Sequence, residues 1–316
     1  MAWYLSYPSW IHAEIIPSLP FRWYGLMYVL AFAITYCLVL WQTSHEEAGW
    51  SREEVDDLFF RCILLLLIGA RLVSQLVYDG TWDNWIHPWK IFWPFENGRF
   101  VGLAGMSYHG GLLGCLVGGV WFSRKHHKDF LTCCDLACAG IPLGYTFGRL
   151  GNFINGELWG RVSTAPWAMV FPDAPKLSTN YAWVRDVCDK VGIAYQKGMM
   201  VNLPRHPSQL YEALFEGVVL FLFLWCLVRP RRKRHQSGFV LAWYLVGYGV
   251  ARFFIEYFRT PDENLGFIIS LGPGSDTISL FTSLLNISLG QIFCLGMVLA
   301  GVVLLWIRKG IRKQTL

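Results

Sequence analysis

The sequence predicts an all-α polytopic membrane protein, with about seven transmembrane helices and a small head on one side of the bilayer. Three observations lead there. The chain of 316 residues is 54% hydrophobic and only 16% charged, more apolar surface than a soluble interior of this size can hide. Several apolar runs approach the roughly 20 residues needed to span a bilayer, and they are continuous rather than alternating, which disfavours a membrane barrel. The basic residues collect in short clusters between those runs, which is topological information rather than a nucleic-acid surface.

Taken in order, the spans are expected at about 22–41, 58–78, 106–123, 132–151, 208–228, 238–258 and 289–308. The N-terminus, MAWYLSYPSW, lacks a basic leader, so the first run reads as a span and not as a cleaved signal. The third span is glycine-rich. Gly114 with Gly118, Gly140 with Gly144, and Gly144 with Gly148 have the spacing that lets helices approach closely in lipid. The clusters RKHHK (Arg124–Lys128), RPRRKR (Arg229–Arg234) and RKGIRK (Arg308–Lys313) belong on the cytoplasmic side, which puts the N-terminus outside and the C-terminus inside. The whole chain, 1–316, then forms one transmembrane domain with residues 152–207 inserted as an external head. Residues 79–105, with Trp82, Trp85, Trp89 and Trp93, suit a segment lying at the membrane interface.

Five spans bring polar residues to one level near the outer side: Tyr24, His109, Arg149 with Asn152, the stretch His206–Glu212, and Arg252 with Glu256. Arginines embedded at membrane depth are costly and usually functional. Glu256 follows Arg252 by one turn and can pair with it, Arg259 can compete, and Glu157 can return toward Arg149. One reading is a set of ion pairs that lock helices together. The other is an anion site, because guanidinium donates in a planar fork that matches phosphate. Arg71 is open between a structural pair and a lipid contact. Asp135 reads as a helix N-terminal charge, and Glu216 needs a partner. The nine cysteines show no metal spacing and read as buried free thiols. No metal or cofactor is expected. An anion pathway and a scaffold are the competing classes of function.

The densest polar stretch is GRLGNFINGELWGR, Gly148–Arg161. Together with RWYGLMY (Arg22–Tyr28), GMSYHGG (Gly105–Gly111), LPRHPSQLYEALFEG (Leu203–Gly217) and RFFIEYFRTPD (Arg252–Asp262), it resembles the bacterial prolipoprotein diacylglyceryl transferases, with the blocks in family order. The resemblance implies a seven-span enzyme of the inner membrane with a periplasmic head. Its substrates would be phosphatidylglycerol and the lipobox cysteine in a prolipoprotein signal peptide, with no nucleic acid involved. Glycerol 1-phosphate would leave as a thioether forms. It further implies His109 and Arg252 as catalytic residues, and Arg149, Asn152, Glu157, Tyr24, Glu256 and Gly160 as substrate-binding residues. Residues 263–288 look longer than the family's usual link before the last helix.

Overall fold

The computed structural model describes all residues except 1–3, 17–21, 48, 81, 94, 97–98, 101–104, 262–265, 275–276 and 315–316. Parts of the 263–288 segment therefore lie outside the described residues. The chain is mainly helical. Its α-helices in order are α1 (Trp23–His45), α2 (Arg52–Val73), α3 (Trp82–Ile86), α4 (Tyr108–His126), α5 (Phe130–Ile154), α6 (Ala182–Val191), α7 (Ser208–Glu212), α8 (Leu220–Leu222), α9 (Phe239–Ile255) and α10 (Leu289–Gln314). Helices occupy all seven expected ranges. Among the described residues, five stretches are long and apolar enough to cross a membrane: Trp23–His45, Arg52–Tyr78, Phe130–Ile154, Ser208–Arg234 and Leu289–Arg308. α9 is apolar but has only 17 residues.

By packing the chain divides into two units, Tyr36–Ala137 and the remainder. In the first, α2 begins earlier than its apolar run because Ser51 and Glu54 form a capping box. The Ser51 hydroxyl accepts from the Glu54 amide at 3.2 Å, and the Glu54 carboxylate accepts from the Ser51 amide at 2.9 Å. Reciprocal capping of this kind satisfies two otherwise orphaned donors. α4 lies directly against α2 through its glycines. A Cβ on Gly118 would stand 2.8 Å from the Arg61 carbonyl oxygen, and one on Gly114 would collide with Leu65. Arg71 is buried, and it donates to the backbone carbonyls of Ile91 (2.5 Å) and Gly105 (3.1 Å). It ties the tryptophan-rich segment to α2 through backbone carbonyls.

α5 crosses from one unit into the other. Its N-terminus is capped by Asp129, whose carboxylate accepts from the Thr132 amide at 2.8 Å. Asp135 lies beyond that first turn and is fully buried, so the helix-end charge is Asp129 and not Asp135. In the second unit Gly144 serves close packing as expected: its Cβ would stand 2.7 Å from the Ala31 carbonyl oxygen on α1. Gly148 does not, since nothing lies within 4 Å of that position. The span starting at Ser208 is irregular. α7 passes into a π-helical stretch (Ala213–Val219), then α8, then a second π-helical stretch (Phe223–Val228) and a 3-10 end (Arg229–Arg234). Wide turns of this type are rare and concentrate at functional sites.

Between α5 and α7 the chain makes a small satellite with its own core. Val184, Val187, Cys188 and Val191 form the apolar stripe of α6 and pack with Val162 and Leu203, the spacing expected of an amphipathic helix. Cys188 is a buried free thiol there, and burial pushes its pKa up. The base of this segment is an antiparallel backbone pair. His206 donates to the Arg161 carbonyl (2.9 Å), and Ser163 donates to the Pro204 carbonyl (2.9 Å).

Candidate functional site

Arg149 lies near the end of α5, Glu212 closes α7, Glu216 sits on the first π-helical stretch, and Arg252 sits in the last turn of α9. Glu212 is the hub. Its Oε2 is 2.9 Å from Arg149 Nε and 3.0 Å from Arg252 Nη1, and its Oε1 accepts from Arg259 Nη1 at 2.7 Å. Arg252 also reaches Glu256 Oε2 (3.1 Å) and Glu216 Oε1 (3.6 Å). Tyr145 bridges the helices. Its hydroxyl accepts from Arg149 Nε at 2.6 Å and donates to Glu216 Oε2 at 2.6 Å.

Burial within this cluster is uneven, and the difference is informative. The side chains of Glu212 and Glu216 are 0% exposed, whereas Arg149, Arg252 and Arg259 are 19%, 16% and 18% exposed. The carboxylates form a floor, and the guanidinium groups cover it. The guanidinium groups are the more accessible side of the cluster, and the buried carboxylates compensate their charge. A guanidinium edge of this kind suits an anion with several acceptor oxygens.

The turn after α5 extends the polar edge. Asn152 accepts from Arg149 Nη1 at 3.3 Å and donates to Glu157 Oε1 at 2.8 Å. Glu157 thus joins Arg149 through Asn152. Leu158 has φ 58°, a left-handed conformation uncommon for a non-glycine residue. It is held by hydrogen bonds on either side: Ser208 Oγ donates to the Leu158 carbonyl at 3.0 Å, and Gln209 Nε2 donates to that of Glu157 at 2.5 Å. Gly160 follows where two segments meet. Its amide donates to the His206 carbonyl at 2.9 Å, and an added Cβ would collide with the Phe258 carbonyl oxygen. The next amide, Arg161, donates to Phe258 O at 2.8 Å. These bonds join the end of α5 to the residues following α9.

Two further groups stand close to this junction. Arg161 is 1% exposed and donates through Nε to the Arg259 carbonyl at 2.7 Å, while Nη1 and Nη2 are buried without hydrogen-bond partners. Burial brings its pKa down to about 10. His206 packs edge-on against Phe258 and meets the Tyr211 hydroxyl at 3.1 Å. Burial, and then the nearby Arg161 charge, lower its pKa to about 4, so it is neutral at neutral pH. Glu256 is fixed from the far side by Ser288 Oγ at 3.2 Å, which brings the start of α10 against the cluster. Tyr24 lies on α1, which packs on Gly151, and its hydroxyl shares a 2.9 Å hydrogen bond with Tyr28. His109 belongs to the Tyr36–Ala137 unit, where its Nδ1 is 2.8 Å from the Tyr78 hydroxyl.

Of the residues expected from sequence, Arg149, Asn152, Glu157, Arg252 and Glu256 are linked in one network. Glu212, Glu216, Tyr145 and Arg259 join it, and the sequence does not mark Glu212 as its centre. Its signal was present: Glu212 with Glu216, Tyr145 with Arg149, and Arg252 with Glu256 are each four residues apart, so three helices each present a polar pair on one face.

These features define a helical membrane-protein class with buried carboxylates packed against partly exposed guanidinium groups. The family model for prolipoprotein diacylglyceryl transferase matches residues 11–307. A Treponema pallidum (strain Nichols) phosphatidylglycerol--prolipoprotein diacylglyceryl transferase is 50% identical over 313 residues, covering 94% of this chain and 93% of that protein. The Treponema denticola protein of the same name is 48% identical over 94% of this chain and 92% of its own length. One from Legionella pneumophila (strain Lens) is 36% identical over 96% of this chain and all of its own. The chain belongs to the prolipoprotein diacylglyceryl transferase family.

Proposed function

We propose that this chain transfers the diacylglyceryl group of phosphatidylglycerol to the lipobox cysteine of a prolipoprotein, the first step of lipoprotein maturation. The observation that carries the chemistry is the meeting of Arg149 and Arg252 on one oxygen of Glu212, with both guanidinium groups on the exposed side. In the proposed step the cysteine sulfur attacks the glyceryl carbon. A C–S bond forms, the C–O bond to phosphate breaks, and its electron pair stays on the departing glycerol 1-phosphate. Charge grows on that phosphate in the transition state, where prearranged donors act most strongly. Arg149 holds the phosphate in the ground state, and Arg252 stabilises it as it leaves. Asn152, Glu157 and Tyr24 orient the headgroup, Glu256 fixes Arg252, and Gly160 keeps the adjoining loops in contact.

The thiol must lose its proton. A free thiol has a pKa near 8.5, so only a minority is thiolate at neutral pH. His109 is the assigned acceptor, and the cationic edge lowers the cost of thiolate. The arginines are assigned the larger share of the rate. We further propose seven spans in the inner membrane, with the N-terminus and residues 152–207 periplasmic and the C-terminus cytoplasmic. The basic clusters support this orientation.

The test is direct. Purified protein is incubated with phosphatidylglycerol and a lipobox peptide, and the peptide is weighed by mass spectrometry. A diacylglyceryl mass gain on cysteine with release of glycerol 1-phosphate is expected. Unmodified peptide would overturn the assignment. If His109→Gln abolishes turnover while Arg252→Lys keeps it, the balance between base and arginines is reversed.

A further inference from the structure

Arg149 is held at Nε by two groups. Nε lies 2.9 Å from Glu212 Oε2 and donates to the Tyr145 hydroxyl at 2.6 Å. Tyr145 stands one turn earlier on α5, and its ring also supports the guanidinium, whose Cζ lies 4.7 Å from the ring centroid. The ring is braced in turn by Tyr248 of α9, which meets it edge to face at 6.1 Å. A phenol has one proton to give. Two carboxylate oxygens stand within reach of it, Glu216 Oε2 at 2.6 Å and Glu212 Oε2 at 3.3 Å, and the nearer one takes it. Arg149 Nε can only donate, so the chain runs in one direction, from Arg149 to Tyr145 to Glu216. Glu216 is 0% exposed, and its other oxygen, Oε1, has no hydrogen-bond partner among the described residues and stands 3.6 Å from Arg252 Nη1. The phenol is thus the close contact of this buried carboxylate.

We infer that Tyr145 is a positioning residue for the transfer reaction: its hydroxyl, anchored on Glu216, sets the orientation of the Arg149 guanidinium that receives the lipid phosphate. The inference rests on the functional reading above, in which Arg149 holds that phosphate. A planar fork matches phosphate only when its plane is turned correctly, and an arginine side chain is otherwise rich in rotamers. Glu212 is a shared anchor, with Oε2 also meeting Arg252 and Oε1 engaged by Arg259. The phenol adds a second bond at Nε, and its ring adds a surface for the guanidinium to lie against. Together they restrict the remaining rotation before any lipid arrives.

The experiment uses Tyr145→Phe, which keeps the ring and removes both hydrogen bonds, in the unaltered protein and in Arg149→Lys. Rates are measured with phosphatidylglycerol and a lipobox peptide in mixed micelles, each substrate varied in turn. Tyr145→Phe alone is expected to lower kcat/KM for phosphatidylglycerol by about tenfold, since small misplacements of a binding group can cost up to about 10²-fold. KM for the peptide, which carries no phosphate, is expected to stay as it was, and this also shows that the variant has folded. In Arg149→Lys no fork remains to be aimed, so adding Tyr145→Phe is expected to change kcat/KM by less than about twofold, the non-additivity of residues that act through one another. An unchanged kcat/KM in Tyr145→Phe, a peptide KM that rises with it, or the full loss repeated in the Arg149→Lys background would each overturn the positioning role while leaving the functional reading intact. An unaltered protein that leaves the peptide unmodified would overturn the functional reading, and the positioning role with it.

Discussion

Glu212 and Asp57 each gather three basic side chains, yet only one of them is shut away from solvent. Glu212 holds Arg149, Arg252 and Arg259 and is fully buried. Asp57 holds Arg61 (2.8 Å), Lys125 (3.3 Å) and His126 (2.7 Å), but it is 22% exposed and Lys125 is 51% exposed. The same wiring has different consequences. A buried pair is expensive to assemble and destructive to break, because the surviving partner keeps its charge with nothing to offset it. An exposed pair is screened and readily replaced by water. In the Glu212 cluster the more accessible groups are the guanidinium groups, at 16–19% exposed.

Removing the hub breaks this contrast most severely. Glu212→Gln should abolish diacylglyceryl transfer and cost about 3–5 kcal/mol of stability, since three arginines lose a common partner. Activity assays and thermal unfolding in detergent measure the two effects. Arg149→Lys keeps the charge and loses the planar fork, so it should fold and reduce kcat by about 10² or more. A small change would show that point charge alone suffices. Gly160→Ala should destabilise by about 1–3 kcal/mol, because Phe258 must move to admit the methyl group. A melting temperature equal to that of the unaltered protein would contradict the close approach.

His206 sharpens the comparison through pH. Its pKa when folded, about 4, lies below the ordinary histidine value of about 6.5. The unfolded chain therefore binds the proton more readily between those values. Stability contributed by neutral His206 is intact above about pH 6.5 and is lost as pH falls toward 4. Melting temperatures followed across that window should decline less steeply in His206→Asn. The smallest effect belongs to Asp57→Asn, which should cost about 1 kcal/mol and leave transfer activity intact.

Much of this was legible in the sequence, and the exceptions have physical reasons. The positions of the long helices followed from apolar runs, because lipid forces each backbone group to bond within its own helix. The arginine and asparagine near the end of α5 stood out because polar residues there are costly. Glu212 was harder to see: its spacing from Glu216 marks a polar face, but its central place comes from three side chains converging from other segments. Asp135 was misread for a related reason: the true cap, Asp129, sits just outside the apolar run. The role expected of Gly148 failed because spacing announces a possible contact face without saying whether a neighbour lies opposite. The π-helical turns under Glu216 have no compositional signature at all.

The paired backbone at Arg161–Ser163 and Pro204–His206 has an engineering consequence. Residues 164–203 leave and return through this hydrogen-bonded pair, and they are tied elsewhere as well: the Leu5 amide donates to the Ala168 carbonyl at 2.8 Å, and Trp167 Nε1 donates to the Tyr211 hydroxyl at 2.7 Å. A short connector in its place would sever those ties, whereas Arg149, Arg252 and the Glu212 carboxylate they share all lie outside the exchanged residues.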